Sequence, residues 1–227
     1  MLRELVSIFR ADDPLAEVGD RFARMLDLTR EMNLVAGRIF FGEERDNAQR
    51  DQIYKWDTEV NELEQSIRRW ITTHLVVPGN LADVPYSLLL MTLVKDVERL
   101  GDYAKNLSEI VDIRPNALPD GPELAELVEI RRGVELAYQS CADVFVGSRK
   151  EAAEELIRQG RATARRCDSL IKVVGRSDFD AGTTTAFILG ARYYKRIGAH
   201  VLNVLTSVVM PLDKVDYYDE DELPSTE

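Results

Sequence analysis

Glu98 and Asp102 stand four residues apart in VKDVERLGDYAKNLSEI (94–110), within a long helical pattern. That spacing puts both carboxylates on one helix face. Two like charges so placed cost roughly 0.2–0.5 kcal/mol in an isolated helix, so bulk solvent or a bound cation must offset them. The preceding helical pattern contains WDTEVNELE (56–64), with Asp57, Asn61 and Glu64 to one side of its apolar stripe. At about 100° per residue, the two sets fall on the same rotational flank of their helices. Adjacent antiparallel helices turn such flanks toward each other across a groove. Four carboxylates and one carboxamide would then form an oxygen-only set on a partly exposed surface. Such a set suits hard cations such as ferric iron, manganese, magnesium or calcium. Zinc prefers nitrogen or sulfur, although carboxylates bind it too. The plain alternative is an acidic flank that serves solubility alone.

A second version of the stretch lies near the end of the chain, in YKRIGAHVLNVL (194–205). Arg99, Gly101 and Asn106 recur there as Arg196, Gly198 and Asn203, at one constant offset. The acids do not recur: Glu98 becomes Lys195 and Asp102 becomes Ala199. In the matching earlier helix, Asp57, Asn61 and Glu64 correspond to Arg161, Arg165 and Asp168. Arg161, Arg165 and Lys195, with Arg192 one turn before, form a basic patch that would repel a metal ion. It either binds an anion such as phosphate or an acidic partner, or it is a solvated face balanced by Asp168 and neighbouring acids.

Six long helical patterns must position these groups. The first opens at Asp13-Pro14, a cap and first-turn pair, and runs to about Phe41 through Leu15, Val18, Phe22, Met25, Leu26 and Leu28. The second covers about Arg45–Leu75, and the third about Asp83–Ile113 with Pro85 in its first turn. Gly101 lies beside the third stripe, and a glycine inside a helix costs about 1 kcal/mol against alanine, so a close helix approach is expected there. Arg114 to Pro122 is a linker rich in proline and glycine. Three further patterns follow at about Gly121–Gly147, Lys150–Val174 and Asp180–Met210. No stretch alternates like a strand. The expected class is all-α, two pseudo-symmetric elongated three-helix bundles, with units at 1–114 and 120–211 and an acidic tail at 212–227 expected to be disordered.

The chain has 227 residues and a formal charge of −11, which argues against general nucleic-acid binding. No apolar run is long enough to cross a membrane, and MLRELVSIFRADD lacks the core of a signal peptide. Its stripe Leu2, Leu5, Val6 and Phe9 is expected to pack on the body or fray, with contact to a membrane or partner as the alternative. Cys141 and Cys167 have no partner spacing and are expected to be free, buried thiols of a reducing cytosol. His74 falls on an apolar face and is expected to pack or cap rather than bind metal. The two histidines, His74 and His200, lie in different repeats.

The run Glu98-Arg99-Leu100-Gly101-Asp102, its degenerate copy KRIGA and the paired three-helix units resemble the PhoU family of phosphate-uptake regulators. The resemblance covers about Asp13 to Pro211. It implies a cytoplasmic helical adaptor, often dimeric, that restrains phosphate import and phosphate-starvation signalling. The implied partners are a phosphate ABC transporter or other phosphate transporter and a sensor histidine kinase. The implied cofactor is a metal cluster, iron first, on Asp57, Asn61, Glu64, Glu98 and Asp102; the altered second copy departs from that pattern. No nucleophile–base pair and no phosphate-cradling glycine loop suggests an enzyme. Two other readings stand beside the adaptor. One is a metal-free helical interaction module. The other is a carboxylate-bridged di-iron oxidase, which the lack of any Glu-x-x-His disfavours.

Overall fold

A computed structural model describes residues 15–44, 47–114 and 116–216. Among these residues there are six α-helices and no strand: α1 (Ala16–Phe40), α2 (Asn47–Leu75), α3 (Val84–Glu109), α4 (Pro122–Val146), α5 (Lys150–Val174) and α6 (Ala181–Val209). Each has 25 to 29 residues, or roughly 38–44 Å at 1.5 Å per residue. The all-α, two-times-three-helix architecture is as expected from the sequence.

Local chemistry sets the helix ends. Pro85 and Pro122 occupy first-turn positions of α3 and α4, where no amide hydrogen is needed. Asp180 caps α6, its carboxylate accepting the Thr183 amide at 2.9 Å. Gly79, at φ 105°, makes the α2–α3 turn, which side-chain-bearing residues rarely adopt. The third helix tightens into a 3-10 turn at Ile110–Asp112 instead of remaining α-helical to Ile113.

Helices α2, α3, α6 and α5 lie side by side in that order, with α1 and α4 behind them. The central α3–α6 contact joins the two halves, and one apolar core runs through both. The stripes expected on α1 and α3 are buried in it, from Val18 and Phe22 to Val97 and Leu100. Gly101 is a correction. A methyl group there would meet Met32 and Thr29 at 3.4–3.5 Å, ordinary contact, so no close approach demands the glycine. The most crowded positions are Gly190, where the added carbon would lie 2.5 Å from Phe40, and Gly160, 2.6 Å from Leu202.

The Asp13-Pro14 cap, the Leu2–Phe9 stripe and Arg45 lie outside the described residues. So does 217–227 of the acidic tail. Its first residues depart from the disorder expected of them: Leu212–Lys214 form a 3-10 turn, and Val215 is buried.

Candidate functional site

The α2–α3 groove gathers the acids singled out in the sequence, together with cations that the sequence reading left out. Lys105, one turn beyond Asp102 on α3, reaches across to α2. Its Nζ donates to Asp57 Oδ2 at 2.9 Å and to Asp102 Oδ1 at 3.3 Å. Arg99 donates to the other Asp102 oxygen at 2.8 Å and lies 3.6 Å from Glu98. Arg68 holds Glu64 at 2.7 Å. Asn61 is half-buried between Asp57 and Glu64 on α2.

The groove is only partly wet: the Asp57, Glu64 and Glu98 side chains are 17–19% exposed. Burial, then the negative charge of Asp102, holds the Glu98 carboxyl above its ordinary pKa; Arg99 opposes this and Glu64 adds to it. Burial works against the Lys105 ammonium, but its bonds to Asp57 and Asp102 outweigh that and hold its pKa above the ordinary lysine value.

So arranged, the side chains fit an ammonium and not a metal ion. A metal bridging Asp57 and Asp102 would need the space that Lys105 Nζ fills. Asp102 and Glu64 also spend oxygens on arginines. Among the described residues, no three His, Cys, Asp or Glu side chains are grouped to hold a metal. The counter-charges were visible in the sequence as Arg68 four residues after Glu64 and Lys105 three after Asp102. Helical i,i+3 and i,i+4 spacing makes such pairs neighbours.

The α5–α6 groove balances its charge differently. Lys195 Nζ donates to both Asp168 oxygens at 2.7 Å. The pair occupies the positions held by Glu98 and Glu64 in the first repeat. Of the basic patch, Lys195 is therefore committed to Asp168, Arg161 is half-buried, and Arg165 and Arg192 are exposed.

Between the two grooves, on the α3–α6 contact, lies a cluster that the sequence reading missed. Asp96, 7% exposed, accepts from His200 Nδ1 at 2.6 Å and from Asn203 Nδ2 at 2.8 Å. Tyr103 stacks on His200 and touches Tyr193. Asp216, just after the last 3-10 turn, faces Asp96 and His200. His74 is packed as expected, stacked on Trp70 with Nε2 2.7 Å from Asp83.

A cavity of about 260 Å³ opens at the other end, lined by Arg50, Arg114, Asp112, Asn47 and apolar residues of α1. Both guanidiniums are engaged: Arg50 with Asp112 at 2.5 and 2.8 Å, Arg114 with Thr183 at 3.1 Å. Cys141 and Cys167 are free and buried, and burial pushes each thiol up to about 12. The acids of the first groove are part-exposed, with side chains 17–27% open to solvent, and not enclosed in a bundle core where a di-iron oxidase places its carboxylates. No helix among the described residues is long and apolar enough to cross a membrane.

Residues 22–111 match the PhoU domain. A Thermotoga maritima protein named phosphate-specific transport system accessory protein PhoU homolog 1 is 33% identical over 97 residues, 43% of this chain. That match spans 38% of the Thermotoga protein's length. A Xylella fastidiosa protein named phosphate-specific transport system accessory protein PhoU homolog is 27% identical over 179 residues, 75% of this chain and 72% of its own. The crystal structure of PhoU from Pseudomonas aeruginosa superimposes with a TM-score of 0.77 at 19% identity, covering 86% of this chain and 95% of that one. The phosphate transport system regulatory protein PhoU from Streptococcus pneumoniae gives 0.75 at 16% identity, over 93% and 97%.

Proposed function

We propose that this chain, a member of the PhoU family through its domain at residues 22–111 and its fold throughout, is a regulatory accessory protein of phosphate uptake. The observation that carries the reading is the PhoU domain on the half of the chain that keeps the ERLGD run. The accessory role printed for the Thermotoga and Xylella relatives supports it. In this reading the chain performs no chemistry. It works in the cytoplasm, as a homodimer, by presenting helix faces to a phosphate transporter and to a sensor histidine kinase. The exposed charges of the α5–α6 groove, Arg165 and Arg192 with Arg161 beside them, suit an acidic segment of such a partner or a phosphate anion. A metal, iron first, enters this reading only as a ligand that would have to displace Lys105.

Deletion of the gene in its own host tests the reading. Uptake of radiolabelled phosphate in phosphate-replete medium should rise, and the intact chain supplied in trans should restore it. Unchanged uptake and unchanged phosphate-starvation signalling overturn the proposal. Arg161→Glu with Arg165→Glu tests the patch: the pair should fail to complement while the helical content, followed by circular dichroism, stays as in the parent. Full complementation assigns the patch to solvent.

A further inference from the structure

We infer that Lys105 is the resident cation of the α2–α3 groove: its ammonium fills the place between Asp57 and Asp102, and a divalent metal binds there only when the lysine is removed or displaced. Lys105 does what a bridging metal would do. It starts on α3 and bonds a carboxylate on each helix, Asp57 on α2 and Asp102 on α3, at 2.9 and 3.3 Å. Both carboxylates are largely buried, with side chains 17% and 27% exposed. Removing Lys105 takes the ion-pair partner from the part-buried Asp57, whereas Asp102 keeps Arg99. A metal arriving in the groove would first have to break both Lys105 bonds, and its apparent affinity falls by the fraction of molecules in which the lysine is in place.

The second groove supports this independently. There Lys195 Nζ holds Asp168 through both carboxylate oxygens, again joining the second helix of its unit to the third. The two lysines are not copies of each other: Lys195 stands where the first repeat has Glu98, and Leu202 stands where it has Lys105. Two different positions thus supply the same device, a fixed ammonium across the groove.

Manganese(II) is the probe, because it is a hard divalent cation without ready redox chemistry. The full chain is stripped with EDTA, dialysed and titrated by calorimetry beside Lys105→Ala. The variant should bind Mn2+ at least about tenfold tighter than the parent, and Asp57→Asn in the variant should abolish the gain. In EDTA, Lys105→Ala should melt below the parent, and Asp57→Asn should recover part of the loss. Lys105→Arg should behave as the parent, and Lys105→Gln carries the same expectations as Lys105→Ala where alanine prevents folding. Equal Mn2+ affinity in parent and variants overturns the inference, and so does a lack of Mn2+ binding by both. A melting temperature in EDTA unaffected by the loss of Lys105 overturns it as well.

Discussion

Asp96 and His200 form a hydrogen bond of 2.6 Å that is the pseudo-symmetric counterpart of the ring contact between Tyr103 and Tyr193. The offset that maps Arg99 onto Arg196 maps Asp96 onto Tyr193 and Tyr103 onto His200. The two contacts therefore lie around one local axis on the α3–α6 seam. One of them is a polar hydrogen bond and the other an aromatic contact. Asp96 is buried and bonded to two residues of α6, so its loss strands a histidine and an amide between the halves. Asp96→Ala should cost about 2–4 kcal/mol, and Asp96→Asn, which keeps one acceptor, about half that. Urea denaturation measures both. A double-mutant cycle with His200→Ala should return a coupling of at least about 0.5 kcal/mol; additive losses would mean that the contact is not formed.

Asp216 makes the same cluster pH-sensitive. Burial, then the negative charge of Asp96, pushes its carboxyl up to about 6, against the pull of His200. The folded chain therefore holds this proton more tightly than the unfolded one. The resulting stabilisation is fully present below the ordinary carboxylate pKa of 3.8 and is lost as pH rises through about 6. Asp216→Asn removes the charge and keeps a residue type that tolerates the positive φ of 79° found here. Because the group is half open to water, the gain at pH 7.5 is discounted to about 1 kcal/mol. At pH 3.5 the two proteins should melt together. A gain of the same size at both pH values would assign the effect to something other than ionisation.

The sequence made the helices legible because their apolar stripes recur every three or four residues for six or more turns, as from Leu90 to Leu107. It made the acidic groove legible for the same reason: Asp57, Glu64, Glu98 and Asp102 each keep a fixed angle to their own stripe. Periodicity gives the direction of a side chain but not its partner. The spacing of Lys105 three residues after Asp102 was visible, but its bond to Asp57 on the neighbouring helix was not. Asp96 and His200, more than a hundred residues apart in the chain, share no local pattern at all. Gly101 was misread for a related reason. Its place beside the stripe suggested crowding, but the facing residues, Met32 and Thr29, leave room for a methyl group.

The glycines give a test of packing in which two outwardly similar substitutions should part. At Gly190 of α6 an added methyl carbon would lie 2.5 Å from the ring of Phe40, which packs edge-on against Phe41 and Tyr194. Gly190→Ala should therefore cost about 1–3 kcal/mol through overpacking. Gly101→Ala meets its neighbours at contact distance and gains helix propensity, so it should be neutral or stabilising by up to about 1 kcal/mol. Thermal melts of the two variants measure the difference. Equal effects would place Gly190 in a looser environment than the one described.

The cysteines report on whether the core is closed. Cys141 is pushed up to about 12 by burial alone. Cys167 reaches about 12 through burial, then the charge of Asp168, with Lys195 acting against both. The ordinary value is 9.0, so the thiolate fraction at pH 8 falls by a factor on the order of a thousand, and the thiolate is the reactive form. Both thiols should resist Ellman's reagent at pH 8 in the folded chain for as long as the fold survives. Both should react within minutes in guanidinium. Lys195→Ala separates the two sites: it removes the stronger of the two cations, Lys195 and Arg166, that favour the Cys167 thiolate, so Cys167 should stay silent even as the α5–α6 groove loses its ion pair. Fast labelling of Cys167 in that variant, without loss of helicity, would mean that Lys195 seals the groove against the reagent as well as balancing its charge.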